Sequence, residues 1–302
     1  MTDDEYLRQV LADQKLDPNG PERQELERHR QEVEELLRVK FGSAPALIIG
    51  GSVAKGTLIR EAYDLDMHFY FPSGDTSAGE TLEEIYCNVA KALEEKYTLL
   101  PKRSAIRLRC RDEQGRFTDL HIDVVPGRFI HGSSGDVFLH QNEGSKERLK
   151  TNIQTQIDHV KNSGVIDAIR LTKLWREKRG LTTKTFVLEL LVIEILKGQV
   201  FAALGQQFKT VVTALRDNID KITIQDPANP AGNNLSAIFT DEVKQQLRDA
   251  AAATLTQIGE HGLQSVFGSV KSSATPASKA DRLISIVQSA PGRYKPWFDR
   301  EV

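Results

Sequence analysis

Three aspartates and one glycine-rich turn carry the chemistry this sequence suggests. Asp64 and Asp66 lie in Asp64-Leu65-Asp66-Met67-His68-Phe69-Tyr70-Phe71, where apolar residues recur at every second position. In an extended strand Leu65, Met67, Phe69 and Phe71 then share one face. The two aspartates share the other, with Cα atoms about 7 Å apart. Upstream, the apolar run Ala46-Leu47-Ile48-Ile49 has strand length and is followed at once by Gly50-Gly51-Ser52. Glycine lets backbone approach a phosphate without a Cβ in the way, and the turn offers N–H groups and a hydroxyl to an oxyanion. Two carboxylates beside such a turn make a hard-oxygen site suited to Mg²⁺ carrying a nucleoside triphosphate.

Neither pattern is specific alone, because Asp-x-Asp and Gly-Gly-Ser are both short. A third element strengthens them. In Leu120-His121-Ile122-Asp123-Val124-Val125-Pro126 a second alternating strand carries Asp123 opposite its apolar face, and Pro126 is expected to end the ladder. Enough chain separates Asp123 from Asp66 for a helix and a return strand. A charged aspartate in an apolar strand is costly without a partner, and three clustered acids call for cations.

The run Gly50-Gly51-Ser52, then Lys55-Gly56-Thr57 with Ile59-Arg60, then Asp64-Leu65-Asp66 and His121 to Pro126 resembles the polymerase-β-like nucleotidyltransferases. Within them it is similar to the branch of oligoadenylate synthases and cGAS/DncV-like enzymes (CD-NTases). That resemblance implies an α+β fold: a nucleotidyltransferase palm of mixed sheet and helices packed on a C-terminal helical lobe, with the active site in the cleft. The expected domains are residues 1–144, the palm with its N-terminal helices, and residues 145–302, the helical lobe.

The elements that must position these groups read as follows. Tyr6, Leu7, Val10 and Leu11 mark a short first helix, and Pro21 opens a charged second one striped by Leu26, Val33, Leu36 and Leu37. After Asp64–Phe71 comes a helix through Leu82, Ile85, Val89 and Leu93. A hairpin of residues 105–111 and 116–125 turns at Glu113-Gln114-Gly115. Beyond Ser145, a plausible N-cap before Leu149, Ile153 and Ile157, the pattern is helical: 165–178, an apolar 185–204, helices through Phe208–Leu215 and Val243–Ile258, and a last one over 277–289.

Three stretches of this lobe extend the resemblance. Leu171 to Arg176 and Phe186 to Leu191 are similar to the helix pair that backs the nucleotide in that branch, which implies that Lys173 reaches the triphosphate and that Thr185 lies near it. Asp226-Pro227-Ala228-Asn229-Pro230, ending in Gly232-Asn233-Asn234, is similar to the branch's Asp-Pro and Asn-Pro segment. Read from the residues alone, Lys173 is a snorkelling surface lysine, Lys55 and Arg60 are phosphate contacts or surface charges, and His68 and His121 are hydrogen-bonded or solvated. Glu189 in its apolar helix needs a partner, and Trp175 reads as core.

Composition bounds the partners. The 302 residues carry a formal charge of −2, unlike proteins that grip long nucleic acid through a basic excess. Cys87 and Cys110 form no CxxC pair, which argues against a zinc site and for a reducing cytoplasm. No run reaches membrane-spanning length, and the acidic first residues lack the basic-then-apolar pattern of a signal peptide.

The function expected is Mg²⁺-dependent transfer from nucleoside triphosphates (ATP, GTP, CTP or UTP), with pyrophosphate released. The resemblance implies a short cyclic oligonucleotide messenger of bacterial antiphage (CBASS) signalling. It assigns Asp64, Asp66 and Asp123 to two Mg²⁺ ions, Mn²⁺ serving as substitute, and gives Asp123 the general-base role. Gly51, Ser52, Lys173 and Thr185 are the expected nucleotide contacts. A regulatory protein partner is left open. RNA 3′-end addition of poly(A) or CCA type is disfavoured by the charge. Antibiotic-type transfer is disfavoured by the Asp226–Asn234 segment, and an inactive scaffold by the intact acids.

Overall fold

The computed structural model describes residues 1–270 apart from 113, 145 and 234. Its elements run α1 (Asp3–Asp13), α2 (Pro21–Phe41), β1 (Ala46–Ile49), α3 (Gly51–Lys55), β2 (Leu65–Phe71), α4 (Leu82–Glu94), β3 (Thr98–Pro101), β4 (Ile106–Arg111), β5 (Phe117–Phe129), β6 (Val137–His140) and β7 (Arg148–Thr151). Helices α5 (Ile153–Lys161), α6 (Ile166–Arg179), α7 (Thr185–Ile195), α8 (Leu204–Asp217), α9 (Asp241–His261) and α10 (Gln264–Phe267) follow.

The strands form one mixed sheet in the order β1-β2-β5-β4-β3, with β6 on β5 and β7 on β6. Among the described residues only β2 and β5 pair in parallel. Period two decides which face of the sheet is dry. Leu65, Met67, Phe69 and Phe71 of β2, with Ile106, Leu108, Ile122 and Val124, pack on the apolar sides of α2 and α4. Pro21 opens α2 after Gly20, and Thr81 and Glu84 close a capping box on α4. The opposite face carries the acids at one end. Past Asp66 it is covered, with Tyr70, Val125 and Val137 packing against Ile153 and Ile157 of α5.

Several sequence expectations shift. β5 does not stop at Pro126 but runs to Phe129. Pro126 falls where the pairing with β4 has ended at Val124 and that with β6 has not begun, so its missing N–H costs no ladder bond on that edge. Leu149 lies in β7 and not in a helix; α5 starts at Ile153, capped by the Asn152 side chain on the Thr155 N–H. The apolar run 185–204 divides, because α7 ends at Ile195 and α8 starts at Leu204. Ser145, Glu113, Asn234 and the helix expected over 277–289 lie outside the described residues.

Helices α6, α7, α8 and α9 build the second layer, with Trp175 buried and donating from Nε1 to Thr254 Oγ1 at 2.8 Å. The sheet continues to Thr151, beyond the expected division after residue 144, and α1 packs on α6 and α8. Asp226, 3% exposed, ties loop to sheet and helix: it accepts from Gln156 Nε2, the Ala228 N–H and Asn233 Nδ2. Asn229 Nδ2 donates to the Lys150 carbonyl. The Asp-Pro segment is thus held by its own polar side chains.

Candidate active site

The site begins with a register. On the parallel β2/β5 pair Asp66 stands opposite Asp123, and on the antiparallel β4/β5 pair Arg107 stands opposite Asp123 from the other side. Asp64 sits just before β2, its side chain 44% exposed. The two strands flanking β5 therefore bring an acid and a base to one carboxylate. Arg107 Nε and Nη2 each donate to one oxygen of Asp123 at 2.7 Å, and Nη2 lies 3.7 Å from Asp64 Oδ2. His121 Nδ1 lies 3.7 Å from Asp64 Oδ1.

Burial and like charge act together at this corner. Burial, then the Asp123 and Asp64 carboxylates, push the Asp66 carboxyl up to about 7, with Lys55 and Arg107 pulling the other way. The bidentate bond to Asp123 holds the Arg107 guanidinium above its ordinary range.

Gly51 explains why the turn needs glycine. It opens α3 at φ +57°, and a Cβ there would land on Asp66 Oδ2. A Cβ at Gly50 would meet His68 Nε2 in the same way. Gly50 N–H donates to the Asp66 carbonyl at 2.9 Å, which fixes the turn beside the acid. The first bond of α3 runs from the Ala54 N–H to the Gly50 carbonyl. The N–H groups of Gly51, Ser52 and Val53 precede it and have no acceptor within the helix.

Behind α3 lies a buried polar cluster joining it to the helical layer. Lys55 Nζ is 2.9 Å from Glu189 Oε2, and Thr57 Oγ1 donates to Glu189 Oε1 at 2.6 Å. Lys55 Nζ also sits 4.4 Å from the centre of the Phe186 ring. Glu189 thus has the partner its apolar helix demands. Lys173 is 1% exposed, and its Nζ donates to the Thr57 carbonyl at 2.8 Å. Burial holds the Lys173 ammonium down at about 8, against the pull of Glu189. Thr185 Oγ1 accepts from Arg176 Nη1 at 2.9 Å, joining the start of α7 to the end of α6. Asp66 and Asp123 stand side by side on the interior strands β2 and β5, Asp64 just precedes β2, and Gly51, followed by Ser52, lies against Asp66. Lys173 and Thr185 lie in the layer behind them, each engaged with protein.

Lys55 is neither a surface charge nor a free phosphate contact, and Arg60 pairs with Glu22. His68 is buried and hydrogen-bonded to the Tyr70 hydroxyl at 2.7 Å, its imidazole pushed down to about 3 by burial and then by Lys55. Arg107 is the residue that sequence reasoning missed. Ile106-Arg107-Leu108-Arg109-Cys110 alternates, which places Arg107 on the open face, but its pairing with Asp123 is a matter of register.

The donor set suits a hard divalent cation such as Mg²⁺. It consists of carboxylate oxygens, two of the acids are in register, and their mutual repulsion is the kind a dication relieves. As the side chains lie, no three His, Cys, Asp or Glu groups among the described residues are gathered as a metal cluster, and Asp123 is turned to Arg107.

No family model matches the chain. The cyclic AMP-AMP-AMP synthase of Escherichia coli (strain MS 115-1) is 26% identical over 245 residues, 69% of this chain and 74% of the relative. The solved structure of E. coli MS115-1 CdnC with ATP superposes with a TM-score of 0.63 at 20% identity, covering 90% of this chain and 99% of that one. The Bradyrhizobium diazoefficiens CD-NTase CdnG in complex with GTP gives 0.66 at 12% identity, covering 88% and 94%. Vibrio cholerae DncV, a cyclic AMP-GMP synthase solved with a linear intermediate, gives 0.59 at 17%, covering 76% and 69%. These likenesses establish the fold.

Proposed function

We propose that this chain is a nucleotidyltransferase of the CD-NTase kind, which joins nucleoside triphosphates into a short cyclic oligonucleotide messenger and releases pyrophosphate. The observation that carries the reading is the register of Asp66 on Asp123 beside Gly51. Two carboxylates beside a turn whose first N–H groups have no acceptor within α3 support a site for a cation and phosphate oxygens.

Asp64, Asp66 and Asp123 would hold Mg²⁺. The ion would neutralise phosphate charge and lower the pKa of the attacking hydroxyl. The N–H groups at the start of α3 and the Ser52 hydroxyl bind the β and γ phosphates and orient the chain of the triphosphate. Asp123 receives the proton of the attacking hydroxyl. Lys55 and Lys173 act from behind, holding α3 and the Thr57 turn through Glu189 and the Thr57 carbonyl. A direct bond from Lys173 to phosphate would require its bond to Thr57 to open. Thr185 keeps α7 on α6 at the rear wall.

The similar E. coli synthase makes cyclic AMP-AMP-AMP, so ATP is the first substrate to test. E. coli MS115-1 CdnC has also been solved in complex with a HORMA protein, and a protein of this kind is the regulatory partner we propose. The chain is expected to act without long RNA or DNA. Among the described residues no helix is long and apolar enough to cross a membrane. The test is to incubate the protein with the four labelled triphosphates and Mg²⁺ or Mn²⁺, treat with phosphatase, and identify resistant products by mass spectrometry. A phosphatase-resistant cyclic product supports the reading. Exclusive extension of an added RNA 3′ end would replace it.

A further inference from the structure

The acids of the site are already engaged by a cation that belongs to the protein. Arg107 faces Asp123 with both forks of its guanidinium at 2.7 Å and leans to within 3.7 Å of Asp64. This is the planar bidentate geometry in which arginine binds carboxylate most strongly. The backbone that carries it is fixed, because Ile106 and Leu108 on either side are buried in the palm core. The side chain itself is 24% exposed. Any exchange of partners at Arg107 therefore falls on its side chain and not on the strand.

We propose that Arg107 is a positioning residue that acts through Asp123 as an internal stand-in for the divalent cation. It satisfies Asp123 with its fork and leans toward Asp64, so the guanidinium takes the place beside these acids that a cation would take. Loading of the site requires the guanidinium to leave Asp123. Two observations converge on this: the bidentate bond to Asp123, and the approach of the same guanidinium to Asp64 at the place where Asp66 stands opposite Asp123. The device costs metal affinity in the empty protein. In return, a triphosphate that brings its own cation is favoured over the bare ion, and the released Arg107 is left beside the phosphates. The inference rests on the reading of these acids as the cation site.

The test is Mn²⁺ binding to the nucleotide-free protein, followed by electron paramagnetic resonance, for wild type, Arg107→Gln and Arg107→Lys. Removing a competing charge-assisted fork should tighten Mn²⁺ binding by about tenfold in Arg107→Gln. Arg107→Lys keeps the charge but loses the fork and should fall between. In the double variant Arg107→Gln/Asp123→Asn the gain should vanish. Thermal melts without divalent ions check folding, and the melting temperature lost in Arg107→Gln should be recovered on adding Mn²⁺. Unchanged or weaker Mn²⁺ binding in both single variants, with wild type still binding Mn²⁺, would overturn the latch and leave the cation site standing. If no form bound Mn²⁺, with or without triphosphate, the site reading and the latch would fail together.

Discussion

Asp66 and Asp123 face each other across the parallel β2/β5 pair of the sheet, and the resulting repulsion is built into the fold. Because Asp66 is held up at about 7 by burial and its acidic neighbours, Asp66→Asn should raise the melting temperature at pH 8 in the absence of divalent ions. The same change should abolish nucleotidyl transfer. Calorimetric melts beside product assays read both, and a variant that is less stable yet active would contradict the assignment.

Gly51→Ala tests the turn. The new Cβ falls on Asp66 Oδ2 at a backbone angle that L side chains rarely adopt, so a stability cost of about 1–3 kcal/mol is expected. Turnover should drop more steeply than stability, because the displaced group is Asp66. Gly56→Ala, at a similar φ of +74° but with open space around it, is the control and should spare the ratio of turnover to folded protein.

The Lys55–Glu189 pair joins α3 to α7 with both side chains out of solvent. Glu189→Leu leaves that ammonium without its carboxylate and should cost about 3–5 kcal/mol in denaturant unfolding. Adding Lys55→Met should restore most of the loss. A double variant no more stable than the single one would show that the pair is not the coupling element.

What the sequence made legible was local. The alternation of Asp64–Phe71 placed Leu65 and Met67 in the core and Asp66 on the other face, and Gly51 beside it follows from order alone. What it hid was long-range or ambiguous in period. Leu149, Ile153 and Ile157 are spaced like a helix face, but the side-chain cap of Asn152 starts the helix after Leu149. Nothing in the alternation of β4 indicates which arginine meets Asp123, since a shift of register would bring up another. The bond from Lys173 Nζ to the buried Thr57 carbonyl is hidden because its two ends are distant in sequence.

Lys173 also gives a pH prediction. Its folded value of about 8 lies below the ordinary 10.5, so between those limits the unfolded chain binds more protons than the native one. Stability should therefore rise with pH from about 8 to 10.5, by up to about 3 kcal/mol, relative to Lys173→Met. Unfolding of both proteins in urea at pH 7.5 and 9.5 measures the difference, and an equal pH slope in the two would refute it.

The central claim is that Asp123 serves the reacting hydroxyl and is more than a wall of the nucleotide pocket. Asp123→Asn keeps the size of the side chain and weakens its charge interactions. Titration calorimetry with a non-hydrolysable triphosphate, run alongside single-turnover product formation, measures binding and transfer separately. Binding should survive within a few-fold while transfer falls by about a thousand-fold or more, equivalent to several kcal/mol of transition-state stabilisation. If binding were lost while whatever complex remained turned over at the wild-type rate, Asp123 would be a ground-state ligand only, and the mechanism would be contradicted.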